Sequence, residues 1–277
     1  MTITVGSLGY PEDELLREIY AHALESEGFH VRRSDLAGGL LLSGLEQGRI
    51  SGYPEHLDTA FAEATSTEPW VAPASTGVAY QETKERFEQK GLLPFPPTSF
   101  RRASAIAIRT KVAEEQGIES LSDLKGPSSE MNVTAREIYC YGRGRCLRGF
   151  ERGYGVYFAE YSGISFREPS SVLYKALRSG EADAVVVVNT DGRLAQKKNW
   201  LVVLEDDRHR LPAANALWMT SQNVVEEAGP DYEKAILAAQ RGLTVKVMQR
   251  LNVEVELEGK PPGDVAAEYL QSIRFRG

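Results

Sequence analysis

The apolar residues of the chain follow two alternating patterns, short continuous runs and stripes with a spacing of three or four residues. Residues 3–5 form an apolar run that predicts a buried strand, and residues 6–9 predict a turn after it. Pro11 then opens a predicted helix with acidic residues in its first turn, where the helix dipole favours them. The apolar stripe of this helix consists of Leu15, Leu16, Ile19, Tyr20 and Leu24. Gly28 ends the helix, and residues 29–32 predict the next strand.

The alternation continues through the rest of the sequence and favours an α/β fold. Further helices are predicted at residues 41–45, 111–116 and 172–177, and from Asp231 onward, where residues 259–263 interrupt the pattern. Further strands are predicted at residues 105–109, 184–188 and 200–204, and residues 48–55 predict a strand that leads into a loop. The run Ala-Val-Val-Val-Val at residues 184–188 is typical of a strand that is buried on both faces.

Length and charge narrow the range of functions. A chain of 277 residues with 42% hydrophobic and 26% charged residues can form one large or two medium-sized domains. Its formal net charge is −7, and it has no long basic run. We therefore expect no nucleic acid partner. No apolar stretch is long enough to cross a bilayer, so no membrane insertion is expected.

The sequence leaves the cellular location open. No charged start followed by an apolar segment precedes the strand at residues 3–5. The protein is expected to be extracytoplasmic, either periplasmic or lipid-anchored, if a signal segment has been removed, and cytoplasmic otherwise. Cys140 and Cys146 lie close together and either close a small loop in an oxidising compartment or remain free thiols.

Several short segments, spread over nearly the whole chain, resemble one known family in their order and spacing. They are residues 5–7, residues 48–55 with Thr59, residues 105–109, residues 174–183, residues 189–192, residues 201–207, and residues 251–255 with residues 258–260. Together they are similar to the substrate-binding proteins of ABC importers for glycine betaine, choline and other osmoprotectants.

The resemblance implies a two-lobed α/β fold of the type II periplasmic-binding-protein kind. Residues 1–104 and 205–277 would form lobe one, residues 105–204 would form lobe two, and the chain would cross a hinge near Ser104 and near Leu204. A small polar or zwitterionic ligand would bind in the cleft at the strand ends. The implied protein is a monomer that uses no cofactor and has the importer's permease as its partner.

The aromatic residues that this family uses around a quaternary ammonium group are not retained in the chain. Such a group is held by cation–π attraction. Where the resemblance places an aromatic residue, this sequence has His56, Ser104, Val188 and Ala214. Leu8 stands where a basic residue is expected. We therefore expect the ligand to differ from betaine, unless other aromatic residues fill the box, for which Tyr10, Phe100, Tyr139, Tyr141 and Trp218 are available.

Other residues could form a different ligand site. Arg102 follows Arg101 before the predicted hinge strand, and Arg143 falls near the arginine with which the family holds a carboxylate. Guanidinium groups bind carboxylates through two hydrogen bonds, although Arg143 and the nearby Arg145 could equally be solvated loop charges. The predicted ligand set is completed by Tyr10, Gly39, His56, Asp58, Thr59, Asn189 and Thr190.

Two of these groups have alternative interpretations. His56 and Asp58 either form a polar wall of the cleft or act as acid and base in a cytosolic enzyme built on the same fold, with a carboxylate-bearing substrate. Thr190 and its neighbour Asp191 are expected to organise the hinge turn and the start of a helix more than to contact the ligand. The four histidines show no metal-binding spacing, and no phosphate-binding or nucleophile motif occurs.

Overall fold

The computed structural model of the protein describes residues 1–36, 40–136, 147–165, 168–196 and 200–274. The strands in chain order are β1 (Thr2–Ser7), β2 (His30–Asp35), β3 (Gly52–His56), β4 (Leu92–Pro94), β5 (Ser104–Arg109), β6 (Asn132–Arg136), β7 (Glu160–Ile164), β8 (Ala184–Val188), β9 (Leu201–Val203) and β10 (Ala216–Ser221). They form two sheets of five strands, with the orders β2-β1-β3-β10-β4 and β7-β6-β8-β5-β9.

Helices connect the strands of both sheets. They are α1 (Pro11–Ser26), α2 (Leu41–Glu46), α3 (Leu57–Thr65), α4 (Thr76–Glu88), α5 (Thr110–Gln116), α6 (Arg148–Tyr154), α7 (Ser171–Ser179), α8 (Gly192–Ala195), α9 (Gln222–Ala228), α10 (Pro230–Gln240), α11 (Val245–Asn252) and α12 (Pro262–Arg274). None of the helices in the described ranges is long and apolar enough to cross a bilayer. The predicted α/β class is confirmed.

The first sheet has an apolar core on each face. On one face α1, α10, α11 and α12 pack over side chains that include Ile3, Tyr20, Trp218 and Tyr232. On the other face α2, α3 and α4 pack over Tyr53, Leu217 and Met219. The second sheet is also covered on both faces, which explains why β8 is a continuous apolar run.

The chain crosses between the sheets twice, from β4 to β5 and from β9 to β10. The two crossing segments touch at an antiparallel bridge between Arg101 and Asn215. Asn189, just after β8, holds the first segment: its amide donates to the carbonyl of Arg101 over 2.8 Å and accepts from the N–H group of Ala103 over 2.9 Å. This amide therefore ties the end of β8 to the crossing.

The structure corrects one predicted element. Residues 48–55 were expected to lead into a loop, but β3 extends to His56 and α3 begins at Leu57. The helix forms here because Leu57, Ala60 and Phe61 are buried in the core beneath the first sheet. His56 is consequently the residue that precedes a helix, and not a loop residue.

Gly192 permits a close contact between α8 and the C-terminal part of the chain. A Cβ atom at this position would lie 2.6 Å from the backbone nitrogen of Val253 and 2.9 Å from the carbonyl carbon of Asn252. Both neighbours are backbone atoms, so they cannot move away as the end of a flexible side chain would.

We predict that Gly192→Ala destabilises the protein by about 1–3 kcal/mol, because the added methyl group forces α8 away from Val253. Gly77→Ala is the matched control, since Gly77 lies in α4 and a Cβ atom there would meet nothing within 4 Å. Urea unfolding of both variants measures the effect. Equal stability of the two variants would show that the close contact does not restrict this position.

Glu55 at the end of β3 is buried, and Glu63 in α3 is partly buried. Burial raises the pKa of Glu55 well above its ordinary range, and burial together with the neighbouring Glu46 raises the pKa of Glu63 to about 7. Glu55 accepts the backbone N–H group of His56 over 2.7 Å. The folded protein therefore binds protons at these positions more tightly than the unfolded chain does.

Because the folded state binds these protons more tightly, the free energy of unfolding falls as pH rises from the ordinary pKa of a carboxyl group towards the raised pKa of Glu63. We predict that Glu63→Gln weakens this dependence and makes the variant more stable than the parent by about 1–3 kcal/mol near pH 8. Chemical unfolding between about pH 5 and pH 8 measures it. Glu233→Gln, at an exposed position in α10, is the control. A parallel pH profile for Glu63→Gln and the parent protein would contradict the assignment.

Candidate ligand-binding site

A cavity of about 270 Å³ lies between the two sheets. On the side of the first sheet its wall includes Tyr10, Glu12, Asp13, Arg102, Asn252 and Glu256. On the side of the second sheet its wall includes Arg136, Ser170, Leu173, Val188, Asp191 and Arg193. The cavity thus lies between the first turn of α1 and the carboxyl ends of β6 and β8, the edge at which open α/β sheets bind ligands.

Glu12 and Arg102 form an ion pair in the wall of this cavity. The Nε atom of Arg102 lies 3.0 Å from Oε1 of Glu12. Asn252 donates from Nδ2 to Oε2 of Glu12 over 2.6 Å and to the carbonyl of Thr190 over 2.9 Å. Because Glu12 is only 7% exposed, these polar partners are what makes its burial tolerable.

Arg193 compensates two further carboxylates. Its Nη1 atom lies 3.0 Å from Oε2 of Glu256 and 3.4 Å from Oδ1 of Asp191, and it donates to Oγ of Ser170 over 2.6 Å. Burial and the neighbouring Asp191 raise the pKa of Glu256. Asp191 also accepts the backbone N–H group of Arg193, so its predicted role at the start of a helix is confirmed.

Asp13 and His56 approach each other across the junction of α1 and β3. Oδ1 of Asp13 lies 3.9 Å from Nε2 of His56, which is beyond hydrogen-bond distance. His56 is 8% exposed, and its Nδ1 atom has no hydrogen-bond partner in the residues that the structure describes.

Three of the predicted ligand residues line the cavity, namely Tyr10, Arg102 and Val188. Ser104 lies directly opposite Val188 in the pairing of β5 with β8. Ala214 is 5% exposed, and its carbonyl accepts the N–H group of Arg102 over 2.9 Å. Small or aliphatic side chains therefore occupy the region around this pair of strands.

Other predicted residues have structural contacts of their own. The side-chain amide of Asn189 is engaged with the crossing segment, as described above, and Thr190 is fully buried. Leu8 packs against the core under α2 and α3. Asp58 accepts the N–H group of Thr59 over 3.0 Å in the first turn of α3, and burial raises the pKa of this carboxyl.

Some predicted positions lie outside the described residues. They are Gly39, Arg143, Arg145, Tyr139, Tyr141 and both cysteines. Among the described positions, no group of three or more His, Cys, Asp or Glu side chains is arranged to hold a metal ion.

Of the other aromatic residues that could surround a quaternary ammonium group, two lie in the core and one lines the cavity. Phe100 and Trp218 are at most 1% exposed and belong to the core of the first sheet, where Nε1 of Trp218 donates to the hydroxyl of Tyr232 over 2.9 Å. Tyr10, by contrast, lines the cavity. Arg101 is engaged elsewhere, because its guanidinium donates to the carbonyls of Leu211 and Pro212.

Most of the charged residues of the cavity wall were not predicted from the sequence. Glu12 and Asp13 were explained by the helix dipole alone, and Arg136, Arg193 and Glu256 were not singled out. Asn252 lay within a segment that carries the family resemblance, which was the one available signal. The other residues come from distant parts of the chain, so their meeting depends on the fold.

Comparison with known proteins agrees with this architecture. The family model described as the substrate-binding domain of the ABC-type glycine betaine transport system matches residues 1–272. A glycine-betaine-binding protein of Pseudomonas aeruginosa is 26% identical over 98% of this chain and 87% of its own length. The carnitine transport binding protein OpuCC of Listeria monocytogenes is 21% identical over 99% of this chain and 87% of its own length.

A solved structure described as a glycine betaine/carnitine/choline ABC transporter superposes with a TM-score of 0.81 at 22% identity and covers 99% of both chains. This likeness confirms the two-lobed fold that the resemblance implied. Since the family model covers nearly the whole chain, the protein belongs to the family of substrate-binding domains of ABC-type glycine betaine transport systems and is a solute-binding protein.

Proposed function

We propose that this protein holds one small zwitterionic or polar solute in the cavity between its sheets and delivers it to the permease of an ABC importer. The observation that carries this proposal is the composition of the cavity wall, which contains carboxylates and guanidinium groups drawn from both sheets. A wall of this kind complements a molecule that carries both charges. The cavity volume of about 270 Å³ suits a molecule of amino acid size, because pockets for drug-sized ligands begin near about 300 Å³.

The names of the relatives support the same ligand class. The Pseudomonas aeruginosa protein is named for glycine betaine and the Listeria monocytogenes protein for carnitine. Both solutes are small zwitterions, with a cationic nitrogen at one end and a carboxylate at the other.

Arg136 is the residue that we assign to the anionic end of the solute. It ends β6 and lines the cavity on the side of the second sheet, opposite the first turn of α1. Its guanidinium donates to the carbonyl of Glu168, and guanidinium groups bind carboxylates through charge-assisted hydrogen bonds.

The two sheets are the cores of the two lobes in this proposal. Lobe one comprises residues 1–104 and 205–277, lobe two comprises residues 105–204, and the two crossing segments form the hinge. Ligand binding would stabilise the closed arrangement of the lobes, as in other proteins that close around a solute. The protein works as an extracytoplasmic monomer, and the cleft binds its solute without catalysing a reaction.

A thermal-shift screen against betaines, choline, carnitine, amino acids and small carboxylates tests this function. A solute that binds only the folded state raises the melting temperature by mass action. We expect zwitterions to give the largest shifts, with one binding site per chain in a calorimetric titration. The absence of any shift with all these solutes would contradict the proposal.

Arg136→Gln tests the assigned role of Arg136. We expect it to weaken binding of a carboxylate-bearing solute by about tenfold or more, because a charge-assisted pair is lost. Arg148→Gln is the control, since Arg148 is exposed on α6 and paired with Glu151. Calorimetry on both variants makes the comparison, and equal affinities would remove Arg136 from the site.

A further inference from the structure

The carboxylates of the cavity wall are unequally compensated. The wall contains four of them, Glu12, Asp13, Asp191 and Glu256. Glu12 is paired with Arg102 and bonded by Asn252, and Arg193 lies between Asp191 and Glu256. The nearest described partner of Asp13 is His56 at 3.9 Å, and this contact is an ion pair only when the imidazole is protonated.

Asp13 is well placed to act on a ligand. Its side chain is 19% exposed, so it reaches the cavity and yet is largely removed from bulk water. A charge in such a position interacts more strongly with an opposite charge than it would on the open surface. His56, the neighbour of Asp13, is not part of the cavity wall, so Asp13 is the member of this pair that can contact a ligand there.

The helix dipole gives a competing explanation for Asp13. Acidic residues are favoured in the first turn of a helix, and α1 has three of them, Glu12, Asp13 and Glu14. The dipole is equivalent to about half a positive charge, so it does not require all three. Glu14, in the same turn, is not part of the cavity wall.

We propose that Asp13 binds the cationic end of the solute and that this end is a protonated amine with N–H groups, not a quaternary ammonium. This inference rests on the proposed solute-binding function and names the ligand chemistry of the same cavity. A carboxylate gains most from a cation that donates hydrogen bonds to it, and a quaternary ammonium has no hydrogen to donate.

The opposite wall favours the same ligand chemistry. A quaternary ammonium is held best by aromatic faces on several sides. In the described part of the cavity wall the aromatic residue is Tyr10, whereas the wall contributed by β8 is formed by valines, including Val188. The site therefore offers a quaternary cation few aromatic faces and offers an amine a carboxylate.

Three pairs of solutes that differ in N-methylation test the inference. They are glycine and glycine betaine, 4-aminobutyrate and its trimethylated derivative, and ethanolamine and choline. Within each of the first two pairs the carboxylate is the same, so any contribution of Arg136 cancels. We expect the unmethylated member of at least one pair to bind the parent protein about tenfold more tightly than its trimethylated partner in calorimetric titration.

Asp13→Asn is expected to abolish this preference, because the amide keeps the shape of the side chain and loses its charge. Glu14→Gln is the matched control in the same helical turn and should keep the preference. Melting curves of both variants establish that they fold, and Asp13→Ala provides a second test if the asparagine variant does not. An unchanged preference in a folded Asp13 variant overturns the inference.

Different results would overturn the solute-binding function and the role of Asp13. If only trimethylated solutes bind to the parent protein, the solute-binding function stands and the role of Asp13 is overturned. If no member of any pair binds, both are overturned for these ligand classes. A preference for amines that depends on Asp13 supports both.

Discussion

Asn252 lies where three distant parts of the chain meet. Its side-chain amide donates to Glu12 in α1 and to the carbonyl of Thr190 after β8, and Glu12 in turn pairs with Arg102 on the first crossing segment. These groups are buried, so each of them needs its partners in order to remain in the fold. The positions of α1, α8 and the crossing segments are therefore coupled, and the cavity between them takes its shape from this network.

The ion pairs between the two sheets are separate from the residues to which we assign ligand specificity. The charged residues that join the sheets compensate one another, as Arg193 does for Glu256 and Asp191. The pair between Arg193 and Glu256 joins residues that follow β8 to the C-terminal part of the chain. Val188 and Asp13 line this cavity on the sides of the two different sheets, and in our proposal they set which cation it accepts.

The sequence predicted elements that show a local pattern of apolar residues. The apolar run of β8 and the stripe of α1 are local patterns, and both elements form as expected. It did not predict β10, although residues 216–219 form an apolar run of the same local kind and are buried inside the first sheet. In the binding site, too, some features were predictable from the sequence and others depend on the fold. The missing aromatic residues were visible by family resemblance, but the approach of Asp13 to His56 depends on how α1 packs against β3.

The proposed function and the proposed ligand chemistry both require the solute to occupy the cavity between the first turn of α1 and the end of β8. A crystal structure of the protein with the solute that gives the largest thermal shift tests this directly. We expect density for one molecule between Tyr10 and Val188, with its cationic nitrogen at Asp13. Density for the solute at any other position on the protein, with this cavity filled only by water, would contradict this expectation.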